Sequence, residues 1–180
     1  MKDIKILYLF ENYGAPAPEF VLENHLWVDV GNALKDGAFD HHQDKRFPCS
    51  FQTIVENTEF SKKAIEYVKA QEMPEVVIHV HKYPDIDCIS SVFLLQKMLE
   101  KQTTNLKELF SERTLESLCK YVSAIDAGKK KDLTVATLYA YWMRLKDVVE
   151  DENKSQAWIL KKEFSCLRKS PVLWKRRKLK

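Results

Sequence analysis

Val76-Val77-Ile78-His79-Val80-His81 is an apolar run broken only by two histidines, bounded by Pro74 and Pro84, with Asp85 and Asp87 close behind it. Such a run between turn residues reads as a buried strand. Imidazoles and carboxylates are expensive there, because a buried carboxylate costs several kcal/mol unless a cation or hydrogen bonds satisfy it. Asp29 stands in the same position, inside the run Leu26-Trp27-Val28-Asp29-Val30 that Gly31 ends. Polar residues at the ends of strands belong where open α/β sheets bind ligands, at the C-terminal edge.

The rest of the chain supports that class. Lys5 to Phe10 is a further apolar run before Asn12, Gly14, Pro16 and Pro18, and reads as a third buried strand. Between the second and third strands in chain order, Ser61 to Glu72 has helical spacing at Ala64, Ile65 and Val68, with Ser61 as N-cap. Helices are also expected after Asp87 (Ile89, Val92, Phe93, Leu95, Met98, Leu99) and over Thr114 to Ile125, Leu133 to Val149 and Gln156 to Leu167. The expected fold is α/β, a largely parallel sheet flanked by helices, with a helical C-terminal part. Its organisation reads as a metal-binding α/β domain over 1–130, a helical extension packed on it over 131–167, and a basic tail over 168–180.

With 45% hydrophobic and 31% charged residues, the 180-residue chain has ordinary globular composition. No run approaches the roughly 18 apolar residues of a membrane span, and the first residues lack the pattern of a secretory signal, so a cytoplasmic protein without membrane contact is expected. Cys49, Cys88, Cys119 and Cys166 form no C-x-x-C pair, which argues against a zinc ribbon or a dithiol redox site. Cys88 reads as a small packed residue, although beside Asp87 its thiol would expose any metal there to oxidation. Seven of the positive charges fall in residues 168–180; without them the net charge of +3 becomes −4. Such a tail is either a solvated end or a nucleic-acid contact, since phosphate affinity needs only clustered positive charge. Tyr139, Tyr141 and Trp142 read as helix packing.

The chemistry gathers in two segments. In His81-Lys82-Tyr83-Pro84-Asp85-Ile86-Asp87 one short loop can bring together an imidazole and two carboxylates, a donor set suited to manganese, zinc or iron rather than calcium. In Phe39-Asp40-His41-His42-Gln43 adjacent histidines on an extended backbone point opposite ways, so one can hold a metal while the other reaches substrate. Asp40 is placed to fix the tautomer of a neighbouring imidazole. His79, two residues before His81, is either a satisfied core histidine or a support for the site.

Asp-His-His together with His-x-x-Pro-Asp-x-Asp resembles the DHH phosphoesterase superfamily, which includes exonucleases, oligoribonucleases, cyclic dinucleotide phosphodiesterases and manganese-dependent pyrophosphatases. His81, Pro84, Asp85, Asp87 and Ser91 match its first motif, with Ile86 for the usual glycine and Cys88 for the usual alanine. Asp29 resembles the second-motif aspartate, Asp40-His41-His42 the third motif, and Asp126 in Ser123-Ala124-Ile125-Asp126-Ala127-Gly128 the fourth. Val-Asp-Val-Gly followed by Phe-Asp-His-His-Gln is also similar to the melanocyte-proliferating-gene exonucleases. The first motif here follows the second and third, a permuted order, and with no glycine after Gly128 the glycine-rich substrate domain usual in the superfamily is not expected among these residues.

The resemblance implies two divalent ions, manganese by preference, one held by His81, Asp85 and Asp29 and the other by Asp87, Asp29, His41 and Asp126. Asp29 would bridge them. It implies hydrolysis of phosphodiester or phosphoanhydride bonds of a nucleotide or short oligonucleotide by metal-activated hydroxide. Asp40 and His42 would serve catalysis, with Arg46 or Lys45 contacting phosphate. The alternatives are a non-catalytic metal- or nucleic-acid-binding module that keeps the pocket, or one part of an assembly whose partner subunit or second copy closes the site.

Overall fold

The computed structural model describes residues 3–129. The helices expected at Leu133 to Val149 and Gln156 to Leu167, the aromatic residues from Tyr139 to Trp142, Cys166 and the basic tail lie outside the described residues. Among the described residues, β1 (Lys5–Glu11), β2 (His25–Val28), β3 (Leu34–Lys35), β4 (Ala38–Phe39) and β5 (Glu75–His81) form a sheet ordered β1-β5-β2-β4-β3. All pairings are parallel except β3 with β4. The coarse α/β expectation therefore holds. No helix among the described residues is long and apolar enough to cross a membrane.

The helices are α1 (Ser50–Glu56), α2 (Lys62–Ala70), α3 (Ile86–Lys101) and α4 (Glu112–Asp126). The core forms where the central strands meet α3: Leu26, Val28, Ile78, Val80, Val92, Leu95 and Met98 are fully buried. Each such side chain stabilises the fold by about 1.5–3 kcal/mol.

Several expectations need correction. β1 is an edge strand paired only with β5, so its exposure alternates and Leu7 and Leu9 remain 36% and 46% exposed. A run of apolar letters could not distinguish this edge strand from the two buried ones. Ser61 occupies the start of α2 with αR dihedrals and makes no side-chain cap; a 3-10 turn over Thr58–Ser61 precedes it, and the serine hydroxyl donates to the Thr58 carbonyl. The helix stops at Ala70 because Gln71 is extended.

Helix α1 and the β3–β4 hairpin were not anticipated. The hairpin turns at Asp36-Gly37, a dipeptide favoured in tight connections, with Gly37 at φ +74°. A Cβ at Gly37 would lie 2.8 Å from Cγ1 of Val21. Helix α1 has no cap of its own from Cys49. Instead the Asp87 carboxylate accepts the Ser50 and Phe51 amides at 2.6 and 2.8 Å. A cap supplied from a distant helix leaves no local sequence signature.

The strand order also brings distant segments together. β5 lies between β1 and β2, with Val28 opposite Val80 and Glu11 opposite His81. The ends of strands 52 residues apart thus become neighbours.

Candidate metal centre

Four parallel strands end on one edge, and the polar residues sit at those ends. His81 is the last residue of β5, Asp29 follows β2 and Asp40 follows β4. The Asp29 amide donates to the Phe39 carbonyl at 3.1 Å, which fixes the residue just beyond its strand. There the backbone turns into the left-handed region at φ +57°. Aspartate tolerates that conformation better than most residues, and its cost is of the kind that clusters at functional sites.

Asp29 is 3% exposed and central. Its Oδ1 accepts the Ser50 hydroxyl at 3.0 Å and its Oδ2 lies 3.1 Å from His81 Nε2. His41 Nε2 lies 3.6 Å from Asp29 Oδ1, 3.8 Å from Asp87 Oδ2 and 3.9 Å from Asp126 Oδ2. Asp126, the last residue of α4, keeps its side chain largely covered at 21% exposure. Three groups among the described residues bring possible ligand atoms within 4.8 Å of one another: Asp29 with His41 and His42, Asp29 with His81 and Cys88, and His41 with Asp87 and Asp126. Asp29 joins the first two and His41 joins the first to the third.

Asp85 belongs to none of these groups. It caps α3, its Oδ1 accepting the Cys88 amide at 3.0 Å. The resemblance implied that it shares an ion with Asp29 and His81; the charges of both act on its carboxyl, while one of its oxygens is held by the helix start.

Charge crowds this edge. Burial, followed by repulsion from Asp29, raises the pKa of Asp85 and raises that of Asp87 further, although amides of Ser50 and Phe51 pull Asp87 back. Asp126 is raised by burial and then by Asp85, against the pull of His41. Converging carboxylates of this kind favour a proton or a cation between them. His81 carries the clearest sign of a missing partner: its Nδ1 is buried without a hydrogen bond. An orphaned buried imidazole nitrogen costs about 1–3 kcal/mol, and the ring's other nitrogen, Nε2, is the one that faces Asp29. These groups could hold a metal ion.

His42 faces a different task. Asp40 Oδ1 receives its Nδ1 at 2.7 Å and its backbone amide at 2.9 Å, while Oδ2 receives the Asn32 amide at 2.8 Å. Burial pushes Asp40 up, but the His42 ring and these amides outweigh it and hold the carboxyl below its usual value. The Asp40 hydrogen bond, opposed by burial and aided by Asp29 and Asp126, lifts His42 to about 9. Its charged form is therefore favoured by Asp40, and its Nε2 lies 2.8 Å from the Tyr13 hydroxyl. The expectation that the two histidines diverge is corrected: the chain turns at His42 rather than running extended, and the rings lie 4.3 Å apart.

Arg46 is not brought to the cluster. It is 79% exposed and forks onto Asp44 two residues earlier, with both contacts from Nε at 2.9 Å. Sequence reasoning missed Ser50, which reaches Asp29, and Tyr13, whose ring packs edge-on to His42 and His81 with centroids 5.5 and 5.6 Å away. Burial and then the nearby carboxylates, Asp29 first, raise the Tyr13 pKa, so it remains a phenol. Its only sequence signal is position, in the loop after a parallel strand. No family model, curated protein or solved structure matches this chain.

Proposed function

We infer that this chain is a metal-dependent phosphohydrolase acting on phosphodiester or phosphoanhydride bonds of a nucleotide-sized substrate. One observation carries the reading: Asp29, His41, His81, Asp87 and Asp126, from five separate places in the chain, converge on one sheet edge, with His81 Nε2 and His41 Nε2 both turned toward Asp29. Asp29 and His81 would hold one ion and His41, Asp87 and Asp126 the other, with manganese the ion the resemblance favours. Divalent ions at such a site supply Lewis-acid charge and a nucleophilic water at neutral pH.

The protein's own groups supply the rest. Asp40 holds His42 charged and oriented, so that a cationic donor faces the cluster. Tyr13, 73% exposed and bonded to His42, sits where an incoming phosphate would meet that donor.

The test compares wild type with Asp29→Asn, which keeps a side chain suited to positive φ, on pyrophosphate, dinucleotides and a chromogenic phosphodiester with added manganese or zinc. We expect hydrolysis by wild type and a loss of about 10³-fold or more in the variant, the size of several kcal/mol of charge stabilisation. Equal rates would remove Asp29 from the mechanism. A second reading, a pocket that binds metal without turnover, is favoured by Asp87, whose two oxygens are already taken by the α1 amides. Bound metal with no hydrolysis of any substrate would select it.

A further inference from the structure

The Asp29–His81 position has a third possible donor that is neither nitrogen nor oxygen. Cys88 lies in the first turn of α3 and is fully buried. Side chains on a helix lean toward its N-terminus, so a residue at this place turns back toward the strand ends. The Asp85 cap fixes the Cys88 backbone through its amide. Sγ of Cys88 and one ligand atom each of Asp29 and His81 all lie within 4.8 Å of one another, and all three residues are buried. His81 turns its Nε2 toward Asp29 Oδ2 at 3.1 Å, so imidazole and carboxylate already converge at this corner.

Resting on the metal-centre reading above, we propose that Cys88 ligates the ion at the Asp29–His81 position as a thiolate. The thiol proton leaves to solvent as the sulfur–metal bond forms, with no change of oxidation state. Sulfur, nitrogen and one carboxylate oxygen form a three-ligand set of the kind that holds zinc with a position left open. The group of His41, Asp87 and Asp126 offers nitrogen and oxygen alone, which suits manganese. The centre is thus built for two unlike ions, a thiophilic one beside β5 and a harder one beside α4. Asp85, at its cap, is not required as a ligand.

Cobalt(II) titration of the metal-free full chain tests this. The wild type should develop the near-ultraviolet absorption of a thiolate-to-cobalt charge transfer, and zinc should abolish it at far lower concentration than manganese. Cys88→Ser and Cys88→Ala, the latter carrying the residue usual at this place in the motif it resembles, should lack the band and bind zinc at least ~100-fold more weakly, beyond the roughly 10–100-fold typical of changes outside the ligand shell. His41→Ala should keep the band. Cobalt bound with visible absorption but no charge-transfer band, or a band that survives in Cys88→Ala, would overturn the thiolate and leave the phosphohydrolase reading standing. No cobalt binding by the folded wild type would overturn both.

Discussion

His79 and His81 stand two residues apart on one strand, yet their surroundings are opposite. His79 is closed: Nδ1 meets Glu11 Oε1 at 2.8 Å, Nε2 meets His25 Nδ1 at 2.9 Å, and Trp27 stacks on the ring at 4.1 Å. His81 is open: Nε2 meets Asp29, but Nδ1 is buried with nothing to bond. Burial is nearly equal, at 6% and 3% exposure, so burial does not separate them. What separates them is the completeness of their hydrogen bonding. A buried histidine with both nitrogens paired has its hydrogen bonding complete, and one with an unpaired nitrogen does not.

That contrast can be broken by experiment. The largest effect is expected on replacing each histidine: His81→Ala should abolish tight binding of one equivalent of zinc, measured by elemental analysis after dialysis, whereas His79→Phe should retain the metal. Loss of metal from the His79 variant would show that the two environments are not separate. Next in size, Asp87→Ala should lower unfolding free energy by about 3 kcal/mol in denaturant titration, because the buried Ser50 and Phe51 amides both lose their hydrogen-bond acceptor. His79→Phe should cost less, about 1–2 kcal/mol, for its two lost pairings.

Protonation sharpens the same contrast. In metal-free protein, the raised folded pKa values of Asp85, Asp87 and Asp126 mean that protonation favours the native state. That stability is present below the ordinary unfolded value near 4 and is lost as pH rises through the folded values. Thermal midpoints should therefore fall as the pH is raised from acid to neutral, and zinc or manganese should reverse the fall. His42 adds stability below its unfolded value of about 6.5 that is lost as pH rises through about 9, so His42→Asn should flatten the alkaline limb alone. The smallest effect belongs to Tyr13→Phe, roughly 5-fold in KM with metal content unchanged, the size of one hydrogen bond.

Much of this was legible in the residues. Three strands, the helices after Ser61, Asp87 and Thr114, and the candidate ligands at the strand ends follow from apolar runs and from the cost of burying polar groups. The Asp36-Gly37 signal was present too, but the flanking strands are only two residues each and give no periodicity. Helix α1 was hidden because its cap, Asp87, comes from a helix 36 residues later. Tyr13 was not singled out, and Cys88 was read by residue type, as a packed thiol. Their neighbours depend on strand order, which no local pattern encodes. Arg46 failed for the converse reason, since nearness in sequence to His42 did not outweigh a carboxylate two residues away.

The left-handed backbone at Asp29 limits what can replace it. Glycine, asparagine and aspartate bear that twist most easily, and of the three only aspartate is charged. An asparagine there would exchange one oxygen for an amide nitrogen and keep the same twist, so charge at this point of the sheet edge can be removed without disturbing the backbone.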